Sequence, residues 1–315
     1  MQFGKYDFLS VFHSDAILPR YKGSTFRGAF GIALKNVACA LKHQECRRCQ
    51  LLKSCAYFRI FENAQPQEGD GNGVRPHPFV IEPPDSAKTR FSNGDEFNFS
   101  ILLFGFANGY LPYFVYAFEE MGKMGIGRSL EGSRPGYDLV RVSSSSRIVY
   151  DGTDGFVLMG CEIDMPFDEG LEDDGREFEI TIRIETPLRL KFQNKFHTEL
   201  PFHILTRLML RRISSLNNHF GNGEPNLDYV GLIKRSSDVE TVDSSLEWLD
   251  WTRFSNRQQV RMQLGGMVGE ITYRGRLSEF LPLIRYSSKV HLGKATTFGL
   301  GKIEMIQDPT LEPGV

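Results

Sequence analysis

The chain has 315 residues, 41% apolar and 24% charged, which suits two packed cores and excludes a disordered or fibrous polymer. A formal net charge of −2 excludes a uniformly basic nucleic-acid binder. No run of 18 apolar residues is present, and the opening MQFGKYDFLSVFHSD carries charges through its only apolar stretch, so neither a membrane span nor a secretory signal is expected and the protein is expected in the cytoplasm.

In chain order, Tyr6 to Phe12 reads as a strand. Ser24 or Thr25 is placed to cap a helix running to about Lys42, with Phe26, Phe30, Ala33, Leu34, Val37 and Leu41 at helical spacing and Arg27, Lys35 and Lys42 off that stripe. Residues 63–76, rich in Gly, Pro and Gln, read as an exposed loop. Residues 95–104 read as a core strand and Leu111 to Met121 as a second helix. The acidic, turn-rich stretch 164–176 marks a domain boundary, giving domains at 1–165 and 176–315.

The second half opens on EFEITIRIE. Phe178, Ile180, Ile182 and Ile184 share one face of this strand, and Pro187 is expected to close it. Residues 202–216 form a helix with Ile204, Leu205, Leu208, Met209, Ile213 and Leu216 on one side and Arg207 and Arg211 at i, i+4 on another. A polar excursion follows at 221–247, then strands at 260–264, 267–273 and 301–306. Each half thus has the element order of a ferredoxin-like unit, and the chain is expected to be α+β with two such units in tandem.

Charge is segregated along the chain. Residues 20–60 carry nine Lys/Arg against Glu45 alone, and 251–302 carry nine against Glu270 and Glu279. Residues 151–179 carry eleven acids and only Arg176. Two basic blocks around an acidic one suit a single anion-binding face, with ordinary solvated surface as the alternative.

Three features carry chemistry. Cys39, Cys46, Cys49 and Cys55 form C-x6-C-x2-C-x5-C within 17 residues. In a reducing compartment this points to metal rather than disulfides: structural zinc first, an iron–sulfur cluster second, with unmetallated or redox thiols as the remaining alternative, and no catalytic metal because a closed Cys₄ site has no open position. The second feature is His291-Leu-Gly293-Lys294-Ala-Thr-Thr-Phe298-Gly299-Leu-Gly301-Lys302. Its glycines let backbone approach a ligand, Lys294 and Lys302 suit phosphate, and Phe298 offers a stacking face; the alternative is a plain glycine-rich hairpin. It is not a Walker loop, since no Lys follows Gly299. The third feature is a set of seven histidines. Histidine can serve as acid or base in metal-free RNA cleavage, and His43, inside the densest basic block, is the first candidate, followed by His13 and His291.

RFSNRQQVRMQLGGMVGEITYRG and HLGKATTFGLGKIEMI, with ETPLRLKFQNKFHTELPFHILTRLMLRRISSL, closely resemble the C-terminal part of the CRISPR precursor-processing endoribonucleases of the RAMP superfamily. STFRGAFGIALKNVACAL and the cysteines after it are similar to a zinc-ribbon-like insertion of some members, here about 39–58. The resemblance implies tandem ferredoxin-like (RRM-like) domains that bind CRISPR repeat RNA, the pre-crRNA, and cut it without metal to 2′,3′-cyclic phosphate and 5′-hydroxyl ends. It implies a catalytic His after the first helix, matching His43, and in some members a Tyr and a Lys, for which Tyr21 and Lys53 are the candidates. The RNA-binding set is then Arg27, Lys35, Arg207, Arg211, Arg257, Gly293, Lys294, Phe298, Gly299, Gly301 and Lys302. CRISPR effector-complex subunits are further candidate partners. The competing reading is a non-catalytic RAMP subunit that grips guide RNA in an effector complex; a zinc-stabilised nucleic-acid module unrelated to CRISPR is a third.

Overall fold

The computed structural model describes residues 1–41, 45–62, 75–84, 87–130, 132–167, 173–190, 199–250, 252–255 and 260–306. The chain divides into two compact units, Met1–Met165 with His219–Gly221, and Pro166–Asn218 with Asn222–Val315.

The first unit contains β1 (Gln2–Phe12), α1 (Gly23–Ala38), β2 (Phe79–Glu82), β3 (Glu96–Phe104), α2 (Leu111–Met124), β4 (Tyr137–Ser144) and β5 (Arg147–Asp151). The sheet runs β2-β3-β1-β4-β5, with every pairing antiparallel. Without β5, this is the β-α-β-β-α-β order of a ferredoxin-like unit. Phenylalanines fill its core. Phe8 stacks on Phe99 at 4.8 Å, Phe30 stacks on Phe118 at 4.8 Å and on Phe114 at 5.3 Å, and all five are buried. Each such ring contributes roughly 1.5–3 kcal/mol on burial, which is why helices with few caps hold here.

Two boundaries of α1 differ from expectation. Neither Ser24 nor Thr25 caps it; the N-cap is Lys22, a buried residue whose ammonium donates to Arg20 O at 3.3 Å. The helix stops at Ala38 rather than Lys42, because Cys39 turns to ψ 110 after its N–H bonds Lys35 O. The cysteine segment then takes over in short turns at Cys46–Arg48 and Leu52–Ser54 and a π-helical turn at Phe58–Glu62. That last turn presses Phe61 against α1, where a Cβ on Gly31 would meet the ring at 2.2 Å. The glycine therefore lets the segment lie flat on the helix.

The second unit repeats the plan with β6 (Glu177–Leu188), α3 (Phe202–Phe220), α4 (Tyr229–Arg235), β7 (Glu240–Ser244), β8 (Gly266–Arg276), α5 (Leu281–Val290) and β9 (Ile303–Met305). The sheet order is β7-β8-β6-β9, again antiparallel, so both units are ferredoxin-like and the chain is α+β. Ile180, Ile182 and Ile184 of β6 face the core, with Ile182 opposite Ile271 and Ile180 opposite Tyr273. Strand β6 does not end at Pro187. It reaches Leu188 because the register shifts between Met267 and Gly269, so the proline's missing donor falls where the ladder is broken. The polar excursion at 221–247 is structured: it supplies α4 and β7, an edge strand exposed at every residue. An edge strand exposed on both faces has no apolar alternation to betray it.

Candidate functional site

The glycine-rich element links α5 to β9 and is clasped at both ends. Arg212 of α3 donates two bonds to Val290 O, at 2.8 and 3.2 Å, closing the last turn of α5. Its enclosed guanidinium is pulled down to about 10 by burial. His291 then takes a left-handed φ of 58° and turns inward, with Nδ1 3.1 Å from Leu300 O. Leu292 N donates to Gly301 O at 2.8 Å. From β6, the Thr186 hydroxyl donates to Gly299 O at 2.8 Å and accepts from Lys302 N at 2.8 Å. Gly293 and Gly301, at φ 79° and 76°, sit where a Cβ would strike Arg189 O at 2.8 Å and Leu292 O at 1.8 Å. The turn is therefore a rigid, glycine-dependent structure. Gly299 is buried within it, Phe298 is half-buried, and Lys294 stands exposed at its tip. Lys294 has no ion pair among the described residues.

The charge of the C-terminal block divides into two populations. On the open face of the sheet, Arg274 bonds Glu179 at 2.8 Å, Arg183 bonds Glu270 at 2.9 Å and approaches Glu304 at 3.5 Å, and Lys302 meets Glu185 at 3.0 Å. Arg276 lies 3.6 Å from Asp173. These cations are neutralised in place, so the sheet face is not the positive surface that the sequence count suggests, and Lys302 belongs with it. Arg207 and Arg211 on α3, with Lys289 and Lys294, are exposed and without ion pairs among the described residues. Arg257 lies outside the described residues.

In the first unit, Arg27 lies over the Phe61 ring at 3.9 Å and Lys35 over Tyr57 at 5.8 Å, both half-buried rather than extended into solvent. Tyr21 and Lys53 are not brought together. Tyr21 precedes the N-terminus of α1, whereas Cys39, Cys46 and Cys55 gather with Lys35 at its C-terminus. A 16-residue helix separates the two ends by about 24 Å. Burial also raises the Tyr21 hydroxyl far above the ordinary tyrosine range, so it holds its proton. Lys53 is exposed at the C-terminal end. His43 lies outside the described residues. His13 is exposed, with its ring against Gly136, and buried His291 is a structural clasp.

Of the four clustered thiols, Cys46 and Cys55 pack on the core, and all four are half-buried and unpaired. Burial pushes the Cys46 thiol up, and the Lys35 ammonium opposes this. Among the described residues no group of three His, Cys, Asp or Glu side chains is placed to hold a metal ion. The residues that sequence reasoning missed are Thr186 and Arg212. A lone Thr at a strand end and the second Arg of a pair give no local signal.

Fold and turn together define a tandem ferredoxin-like protein whose second unit carries a clasped, lysine-tipped, glycine-rich turn. The family model of CRISPR-associated endoribonuclease Cas6 matches residues 182–303, and the N-terminal-domain model AF_1859_N matches residues 1–159. An uncharacterised protein of Archaeoglobus fulgidus is 29% identical over 290 residues, covering 90% of this chain and 91% of that one. The structure of Thermus thermophilus Cas6 (TTHB231) matches with TM-score 0.54 at 15% identity, over 97% of this chain and 98% of that one. The product complex of TTHB231 matches with TM-score 0.54 at 16% identity, over 96% and 100%. Residues 182–303 thus carry the CRISPR-associated endoribonuclease Cas6 domain, and residues 1–159 belong to the AF_1859_N N-terminal-domain family. Endoribonuclease activity follows from that Cas6 domain.

Proposed function

We propose that this chain cuts the CRISPR precursor transcript within its repeats without metal. A base removes the proton of a ribose 2′-OH, that oxygen attacks the adjacent phosphorus, and the P–O5′ bond breaks as an acid protonates the leaving oxygen. The products carry a 2′,3′-cyclic phosphate and a 5′-hydroxyl. His43, in the basic segment beyond α1, is the acid–base group, and Lys53 stabilises the phosphorane charge. Tyr21, proton-bound at the far end of α1, is left out of this reading. The observation that carries the proposal is the clasped turn, which offers the unneutralised Lys294 to a sugar-phosphate strand, with Arg207 and Arg211 of the same unit as further contacts. The likeness to a Cas6 solved with its product supports repeat RNA as the ligand. Other CRISPR effector subunits are proposed as partners and the cytoplasm as the site of action. Among the described residues no helix is long and apolar enough to cross a membrane.

A structural metal on Cys39, Cys46, Cys49 and Cys55 remains part of the proposal. Four soft donors fit zinc, with iron–sulfur second, provided that the thiols close around it. The test of the main proposal is to incubate repeat RNA with protein in EDTA. Cleavage should persist, the 3′ fragment should accept a kinase label without phosphatase treatment, and His43→Ala should bind RNA but leave it uncut. Dependence on added divalent metal, or full cutting by His43→Ala, would overturn the mechanism.

A further inference from the structure

The start of α2 carries an arrangement that the glycine-rich turn does not use. Tyr110, Tyr113 and Tyr116 follow one another at i, i+3 on its outer side. Tyr116 is tied down, since its hydroxyl donates to Gly155 O at 2.9 Å. Tyr113 is 39% exposed, and its hydroxyl has no partner among the described residues. Its ring lies 5.9 Å from that of Tyr110, which meets Phe106 edge-on at 6.1 Å. Arg59, reaching over from the π-helical turn, lies 5.3 Å from the Phe106 ring and 5.4 Å from the Tyr110 ring and donates to the Tyr110 hydroxyl at 2.8 Å. No carboxylate pairs with Arg59 among the described residues, so the patch keeps its positive charge.

An exposed ring braced by a second ring and an unneutralised guanidinium matches the chemistry of an unpaired nucleotide. The base stacks on the aromatic face and the phosphate meets the cation. A purely apolar partner would leave Arg59 desolvated without a counter-charge, which is costly. We infer that Tyr113, Tyr110 and Arg59 form a stacking platform for a single-stranded nucleotide of the RNA substrate, separate from the glycine-rich turn. The platform rests on the reading that RNA is the ligand, and it adds that part of that RNA is held unpaired.

The test uses the full chain and a short single-stranded RNA carrying 2-aminopurine at successive positions. Wild-type protein should quench the probe at one position. Tyr113→Ala should abolish that quenching and weaken binding about 5- to 100-fold, with the salt dependence of affinity unchanged. Tyr113→Trp should restore both, and Arg59→Gln should flatten the salt dependence. A duplex competitor, whose bases are already stacked, should not relieve the quenching. Tyr113 is on the surface, so its variant should melt like the wild type. If the wild type binds RNA and Tyr113→Ala matches it in affinity and quenching, the platform is overturned while the RNA reading stands. If the wild type does not bind RNA, both fall.

Discussion

Replacing Gly301 by alanine tests whether the glycine-rich turn is as tightly closed as the structure shows. Gly301 has φ 76°, where an L side chain costs about 1–2 kcal/mol. Its Cβ would lie 1.8 Å from Leu292 O and 2.8 Å from Leu292 C, backbone atoms that no rotamer change can move aside. Relief requires the backbone to shift, for a further roughly 1–3 kcal/mol. Together these lower stability by roughly 2–5 kcal/mol, or about 5–15 °C in Tm for a unit of this size. Gly175 provides the control, because it has φ 75° in the same unit with open space around its Cβ position. Gly175→Ala should show only the dihedral cost, roughly 2–6 °C. Calorimetry on both variants isolates the clash, and RNA affinity measured well below both midpoints shows whether opening the turn loosens the ligand. Equal melting of the two variants would refute the closed turn, and an unstable Gly301→Ala protein with undiminished affinity would refute its role in binding.

The open and the paired cations should separate cleanly in binding assays. Lys294→Ala should weaken RNA binding and reduce the slope of log K against log salt by about 0.7–0.9 per phosphate contact, whereas Arg274→Ala, which removes a cation held by Glu179, should change neither. The Asp174 carboxyl is held down to about 2 by the Ser278 hydroxyl and by Arg176, against an ordinary value near 3.9. A lowered folded value means that this stabilisation is complete above about pH 4 and disappears as pH falls through about 2. The difference in melting temperature between wild type and Asp174→Asn should therefore be present at pH 6 and mostly lost by about pH 2. Gently purified protein should contain zinc by elemental analysis and Cys46→Ser should lose it; metal-free wild-type protein would remove the metal from the proposal.

The architecture was largely legible in the sequence because both cores write their periodicity into it. The alternation of Ile180, Ile182 and Ile184 and the stripe through Phe26, Phe30, Ala33 and Leu34 are direct records of burial. The end of α1 was less legible, since Val37 and Leu41 continue the stripe in sequence yet are exposed, and Cys39 already leaves the helix. Charge misled more than hydropathy did. Lys302 and Glu185 are distant in sequence and 3.0 Å apart in space, so counting along the chain could not show that the lysine is neutralised. Tyr113 fell inside the expected second helix and Tyr110 just before it, and only the arrival of Arg59 from another segment gives the pair chemical character. His291, placed among the catalytic candidates by residue type, proves to be a buried clasp.

The row of carboxylates on the second unit's sheet has a protective consequence. In RNA-binding proteins of related topology the sheet itself is a place where bases lie down. Here Glu179, Glu185, Glu270 and Glu304 hold strand cations to themselves, so Arg183, Arg274 and Lys302 each meet a passing polyanion already paired with a carboxylate. Exchanging Glu179 for glutamine, or Glu270 and Glu304 together, would release an arginine onto a broad, flat face and invite polyanions of any sequence to adhere there. Those four side chains keep the sheet's cations occupied, so among the described residues the exposed, unpaired Arg207, Arg211 and Lys294 of the same unit hold charge still open to a polyanion.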